Sequence, residues 1–381
     1  MSVYICSMFS YWEKASFYRY DHVVVGAGIV GLSHALELRD RFPGARIMVL
    51  ERGLLPTGAS TRNAGFACMG SASELLDDLQ TNTEAEVVAL FAARKKGLEK
   101  LRARTGDDRI GYRADGGYEL ISEREAEVCG KIDMLNNMLR AITGAPAFKM
   151  ANERVAEFGF AGGYDKALIE NTCEAGLHTG MLVRTLMDLA TECGIEVKTG
   201  ADVVSFDEGA KEVVVVVRDP FGGGTIRFSC GTLGLCTNAF TKQLLPDVDV
   251  IPGRGQVVVT DTIPGLRFKG IFHFDRGYYY FREIDGRVLF GGGRNLDFEG
   301  ERTTEMGLNE RIQADLDDKL ANIILPGQSY TVAMRWSGIM AFGETKKPIV
   351  RSFGQRVFGA FRMGGMGVAL GSTSAAELAD L

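Results

Sequence analysis

The 381-residue chain is 46% hydrophobic, 24% charged and 9% aromatic, long enough for two ordinary domains and too long for one small core. Its net charge of −6, without any block of lysine and arginine, excludes nucleic acid as the main partner, because phosphate binding needs a concentrated basic surface. No apolar run approaches the roughly 18 residues of a membrane span, so a soluble protein handling a small molecule is expected.

Residues 1–21, MSVYICSMFSYWEKASFYRYD, open apolar and aromatic but lack a basic start and are broken by Glu13 and Lys14. They read as a peripheral packing segment and not as a signal peptide. Residues 21–26, DHVVVG, form a short apolar strand, and the next segment places Leu32, Ala35, Leu36 and Leu38 at helical spacing. Residues 46–51, RIMVLE, are the following strand, giving a βαβ unit whose crossover is right-handed and whose strands are buried on both faces. Residues 74–104 are rich in helix with a polar break at TNTEAE, GYRADGGYELIS predicts a hairpin, and residues 123–142 are again helical.

From Thr179 the α/β pattern returns: a helix ends on Gly194, and IEVKTGADVVSFD, KEVVVVVRD and IRFSCGTLGLCTNAF follow as strands and a turn. Residues 254–293 read almost wholly as strand, with a turn at Asp285 and Gly286, and predict a mostly antiparallel sheet. Residues 309–325 form a helix, TVAMRWSG a strand, and VFGAFRMGGMG leads into the last helix. The fold class is therefore α/β, α+β overall. A discontinuous Rossmann-type domain at 1–90, 165–245 and 333–381 is interrupted by an antiparallel substrate domain at 91–164 and 246–332.

Seven cysteines, Cys6, Cys68, Cys129, Cys173, Cys193, Cys230 and Cys236, form no CxxC pair and no zinc spacing. They read as reduced core residues of a cytoplasmic protein, with no metal site expected.

The stretch VVVGAGIVG supplies Gly26, Gly28 and Gly31 as GxGxxG between a strand and a helix. The first glycine permits the tight turn, the second lets a pyrophosphate approach backbone, and the third lets helix and strand pack closely. Glu51 ends the second strand, where a carboxylate accepts hydrogen bonds from ribose hydroxyls. A loop of small and polar residues, TGASTRNAGFACMG, follows in place of a continued doubly wound sheet. Its Ser60, Thr61, Arg62 and Asn63 suit pyrophosphate and ribityl oxygens, which favours FAD over NAD.

With these motifs in place, the chain resembles the D-amino-acid oxidase and glycine oxidase group of FAD-dependent oxidoreductases. The matching features are VVVGAGIVGLSHALEL, the ERG turn with ASTRNAG after it, TNAF at 237–240, PGRGQ at 252–256, RWSG at 335–338 and GGMGVALG. The resemblance implies that Gly364, Gly365, Met366, Gly367 and Val368 pass beside the isoalloxazine ring, the last helix pointing its positive end at the ring's pyrimidine edge. It also implies cofactor contacts from Ile29, Val30, Arg52, Ala64, Gly65 and Gly338, an adenine site at Val203, and Thr237 and Asn238 at the cofactor's edge.

The implied reaction is hydride transfer from a C–H next to nitrogen onto flavin N5, oxidising the C–N bond of an amine or amino acid to an imine that hydrolyses. A FAD-dependent 2-hydroxy-acid dehydrogenase and a non-catalytic flavin-binding sensor are the alternatives. Members of this group use an arginine to fork onto the substrate carboxylate, yet Met340 and Gly365 stand at the two positions where such an arginine is expected. Arg335, Arg282, Arg294 or Arg362 is left to replace it, or each is an ordinary structural arginine. Tyr278, Tyr280 and Arg282 share one face of a strand by alternation and are the expected wall opposite the flavin. His273 reads as a core or surface histidine, and Arg254 and Gln256 as braces of the domain junction. Phe290 stands where some members carry a lysine that assists oxygen, so oxygen and a quinone or electron carrier both remain as acceptors. No cysteine follows Cys236, which points to non-covalent FAD.

Overall fold

Buried β-branched runs and amphipathic stretches assemble into two eight-stranded sheets in the computed structural model, which describes residues 10–164 and 166–381. Cys6 and residues 1–9 of the N-terminal segment lie outside the described residues. The first sheet runs in the order Ile349–Ser352, Val357–Phe361, Thr225–Leu235, Arg19–Val25, Ile47–Glu51, Glu196–Thr199. Its central pairs are parallel, and an antiparallel extension of Val213–Arg218 and Val203–Glu208 continues from Thr225–Leu235. Arg19–Val25 lies in the middle and ends in three buried valines, as a strand covered on both faces must.

Three helices cover this sheet at close range. In Ile29–Arg41 the residues from Leu32 to Leu38 are all buried. A side chain at Gly97 of Glu84–Thr105 would collide with the Ala369 carbonyl of Gly367–Asp380, and one at Gly371 would lie 2.8 Å from Ile29 Cγ2. Backbone therefore meets backbone where the last helix crosses Glu84–Thr105, the Ile29 side chain fills the space at Gly371, and the three helices share one core with Val87, Phe91, Leu98 and Leu378.

The second sheet has the order Val332–Phe342, Ile251–Thr260, Arg287–Gly292, Tyr279–Ile284, Ile271–Phe274, Gly117–Ile121, Ala167–Asn171, Phe148–Met150. Only the pairing of Ile271–Phe274 with Gly117–Ile121 is parallel. One face packs a phenylalanine-rich core of Phe272, Phe274, Phe281 and Phe290 against Glu310–Lys319. The other face looks toward the first sheet.

Several expectations are corrected. Ala167–Asn171 and all but the first residue of Val332–Phe342, assigned to the first domain by position, pair in the second sheet. Glu84–Thr105, divided by the expected boundary at 90, packs as one helix against the first domain's last helix. GYRADGGYELIS is no hairpin, since Gly117–Ile121 pairs with two strands distant in sequence and Arg113 bridges Gly176. The helix Tyr11–Phe17 has no buried residue and is peripheral. The six described cysteines are free. Among the described residues no helix is long and apolar enough to cross a membrane.

Candidate functional site

The parallel strands of the first sheet end at a cavity of about 580 Å³ that continues across the inner face of the second sheet, the position where open α/β sheets hold ligands. Backbone forms much of the wall of its first half. Gly26 has φ +104°, and a Cβ there would lie 2.7 Å from the Cys236 carbonyl oxygen. A Cβ on Gly28 would lie 2.8 Å from Ser60 Oγ, and one on Gly31 would strike the Gly26 carbonyl. Gly31 thus sets the helix–strand approach and does not itself line the cavity. The helix Ile29–Arg41 begins at Gly28 without a side-chain cap, which leaves backbone donors and the positive end of its dipole at the cavity.

Glu51 is fixed by its own backbone surroundings. Its Oε2 accepts from the Ala27 N–H and its Oε1 from the Gly53 N–H, each at 3.0 Å. Arg52 stacks on Phe240 at 3.6 Å, and Val203, Thr237 and Asn238 complete this end. Asn238, at φ +45°, accepts from the Arg362 N–H at 3.1 Å through Oδ1.

The loop after the second strand crosses from one sheet to the other. Ser60 Oγ accepts from the Ile29 N–H at 3.0 Å, Arg62 Nη1 donates to the Ser337 carbonyl at 3.0 Å, and Trp336 Nε1 donates to the Arg62 carbonyl at 3.0 Å. Ser60, Arg62, Asn63 and Ala64 line the cavity. Thr61 and Gly65, expected there, do not: Thr61 Oγ1 donates to the Pro56 carbonyl and Gly65 turns its N–H to Asn63 Oδ1.

The last helix enters from the opposite side. Gly364 and Gly365 have φ of +56° and +83°, and the helix Gly367–Asp380 starts at Met366 with no side-chain cap and no acidic residue in its first turn. Residues 364–368 all line the cavity.

The second half rests on side chains laid over glycines. Pairing puts Glu119, His273, Tyr280, Gly291, Val257 and Trp336 in one row across five strand pairings, and side chains of directly paired residues share a face. Tyr280 lies over Gly291, whose added Cβ would meet its ring at 2.7 Å. Further along, Gly255 and Gly253 leave space for Met340 and Phe342. Met340 lines the cavity with its Sδ 3.6 Å from a Cβ built on Gly365. Tyr278 also lines it, from the turn preceding the strand and not from the strand itself.

Of the four candidate arginines, three serve structure. Arg282 is on the expected face but one step beyond the cavity, where the loop covers it. It is 5% exposed and Nη1 donates to the Gly65 and Leu177 carbonyls at 2.9 and 2.8 Å; burial lowers its pKa to about 10. Arg335 points to the opposite face, paired with Asp317 at 2.7 Å and Gln313 at 2.6 Å. Arg362 is paired with Asp249.

Arg294 is different. It lines the cavity with its guanidinium over the rings of Phe342 at 4.0 Å and Phe298 at 4.9 Å, and has no ion-pair partner among the described residues. Burial depresses its pKa, a cost that a bound anion would relieve. Glu74, Asp77, Arg276 and Lys346 also line this half, and all four escaped sequence reasoning because their elements meet only in the fold. Phe290 faces the phenylalanine core, so Leu289 and Gly291 lie on the other face of that strand, and Gly292 lines the cavity. Arg254 and Gln256 hold Glu301 within the second domain and not at the junction.

These features suit a dinucleotide: a glycine cradle that a Cβ would fill, two helix N-termini at the cavity, and a carboxylate held at the end of the second strand. The model of the FAD-dependent oxidoreductase (DAO) family matches residues 21–381. The chain belongs to this family and is an FAD-dependent oxidoreductase. No curated protein sequence matches it significantly.

Solved structures share the fold at low identity. Glycine oxidase from Geobacillus kaustophilus is 21% identical with a TM-score of 0.75, covering 96% of this chain and 94% of that one. L-proline dehydrogenase from P. horikoshii is 17% identical at 0.76, covering 96% and 93%. Iminodiacetate oxidase from Chelativorans sp. BNC1 is 20% identical at 0.73, covering 94% of each.

Proposed function

We propose that the protein oxidises the C–N bond of an amino acid or related amine to an imine, which water then hydrolyses, with non-covalently bound FAD taking up the hydride. The observation that carries this reading is the charge pattern of the substrate half: an unpaired guanidinium, Arg294, shares one cavity with the carboxylate of Glu74. A zwitterion with a carboxylate and an ammonium fits that pair better than a 2-hydroxy acid, whose hydroxyl can donate a hydrogen bond to Glu74 but brings no positive charge. The substrates named for the similar structures, glycine, L-proline and iminodiacetate, are all amino acids.

In this reading Gly26 and Gly28 bring backbone to the pyrophosphate, Glu51 accepts from ribose hydroxyls, and Val203 packs on the adenine. Ser60, Arg62, Asn63, Thr237 and Asn238 hold the chain between the rings. The uncapped start of Gly367–Asp380 stabilises negative charge at its N-terminus. When bound, FAD supplies a two-electron acceptor at N5. Arg294 orients the substrate carboxylate, while Tyr280, Met340 and Phe342 exclude water around the reacting carbon. Cys68 and Cys236 line the cavity as buried thiols with raised pKa values, which disfavours a thiolate link to the flavin.

The test is an anaerobic titration of the purified yellow protein with amino acids, secondary amines and 2-hydroxy acids, following flavin absorbance. Bleaching by an amine, with ammonia or a free amine released, is expected. Bleaching by hydroxy acids alone overturns the reading, as does tight FAD that no compound reduces. Reoxidation by air or by a soluble quinone identifies the acceptor.

A further inference from the structure

His273 reaches the cavity from Ile271–Phe274, beside Tyr280 on one neighbouring strand and Glu119 on the other. It is 5% exposed, and Phe66 stands edge-on to its ring at 5.1 Å. Behind it lie two buried carboxylates. Glu174 accepts from the Met69 and Gly70 N–H groups at 2.7 and 3.0 Å through Oε1 and presents Oε2 to His273 Nε2 at 3.5 Å. Glu119 accepts from the Ser71 hydroxyl at 2.9 Å, from the Ser73 N–H at 3.2 Å and from the Ser73 hydroxyl.

Nε2 has no hydrogen bond of normal geometry among the described residues. Glu174 is the carboxylate facing it, and a carboxylate beside one ring nitrogen keeps the proton there. Nδ1 is left with its lone pair.

We propose that His273 is the proton acceptor for the substrate's ammonium group, with Glu174 and Glu119 stabilising the charge behind it. The assignment rests on the amine-oxidising reading of the site. In this step the ammonium N–H bond breaks, its electron pair stays on the substrate nitrogen, and the proton bonds to Nδ1. No electrons are exchanged. The product is a free amine, whose lone pair can assist loss of hydride from the adjacent carbon. The imidazolium formed is buried but paired, which a buried cation requires.

The other titratable side chains facing His273 are Tyr280, Cys68 and Glu74. Burial pushes the Tyr280 hydroxyl up to about 12 and the Cys68 thiol well above its usual value, so both stay protonated near neutrality. Burial works against a charged His273, yet Glu174, Glu74 and Glu119 outweigh it and raise its pKa above the ordinary histidine value. A base that titrates near the working pH is the effective kind.

The experiment follows the anaerobic rate of flavin bleaching by an oxidised amine against pH in the FAD-loaded protein. Below its pKa His273 already holds a proton and cannot accept another, so the rate should rise with pH through a limb above about 6.5. His273→Gln should lose that limb and fall about a hundredfold at neutral pH, with bound flavin and far-UV circular dichroism unchanged. Glu174→Gln should move the limb to lower pH.

A readout without turnover uses histidine NMR, which four histidines keep simple and His273→Gln assigns. The probe is 2-aminoisobutyrate, an amino acid with no C–H beside its nitrogen. About one pH unit above the free midpoint, it should drive the His273 resonance to its protonated position. A limb that survives in His273→Gln, or a resonance unmoved while the probe perturbs the flavin spectrum, overturns the assignment alone. If no amine bleaches the wild-type flavin, the amine reading falls as well.

Discussion

Where the cavity lies against the first sheet, backbone forms a decisive part of its wall, from Gly26 and Gly28 to the helix starts at Ile29 and Gly367. Where it lies against the second sheet its walls are Tyr280, Met340, Phe342 and Arg294, each resting over a glycine or a ring. A backbone wall binds whatever carries phosphate or developing negative charge and is set by short local motifs. A wall of side chains is set by which strands are neighbours, and its chemistry changes with single substitutions. One half of the molecule therefore announces its cofactor, and the other keeps its substrate hidden until the strands are paired.

The largest expected effect breaks the backbone half. Gly28→Val places a branched side chain at Ser60 Oγ and over the first turn of the helix, and the variant should purify without flavin. Retention of full yellow absorbance would contradict the dinucleotide assignment for these glycines.

The next strikes the joint between the halves. Arg282→Met removes a buried cation that donates to the Gly65 and Leu177 carbonyls and leaves the Leu177 carbonyl without a donor among the described residues, while the Gly65 carbonyl keeps the Leu177 N–H. A loss of about 2–4 kcal/mol in the urea unfolding free energy of the apoprotein is expected. A variant as stable as the wild type would show that the loop does not depend on this arginine.

A sharper probe of the side-chain half is Arg294→Met. An apolar side chain of similar length is kept while the stacked, charged guanidinium is lost, so KM for a carboxylate-bearing substrate should rise about tenfold to a hundredfold with flavin content unchanged. An equal effect on a plain amine lacking a carboxylate would move Arg294 out of the carboxylate role.

The smallest effect is one of pH. Burial pushes Glu119 up to about 7, so between its unfolded pKa of about 4.3 and that value the folded state binds more protons than the unfolded state. Stability from this residue should therefore fall as pH rises across that window. Glu119→Gln should flatten the slope, read as the change in urea midpoint with pH.

The dinucleotide half was legible because its determinants are contiguous. Gly26, Gly28 and Gly31 fall within six residues, Glu51 ends the next strand, and Gly364 and Gly365 adjoin the last helix. Alternation also placed Tyr280 and Arg282 on one face, but it said nothing of the loop that covers Arg282. Nor did it reveal that Val332–Phe342 and Ala167–Asn171 belong to the second sheet, since an apolar run does not specify its partner strand.

By itself the sequence determined the βαβ unit, the GxGxxG turn and the carboxylate at the end of the second strand, because turn sterics and helix dipoles act within a few residues of chain, and its ordered motifs carried the resemblance to the FAD-dependent family. Only the tertiary structure decided that Arg335 and Arg362 are tied up in ion pairs, that Arg294 lies between Phe298 and Phe342, and that Glu119 and Glu174 stand behind His273. Those contacts join residues far apart in the chain, and whether a charged group is free or paired depends on what the fold brings within a few ångströms of it.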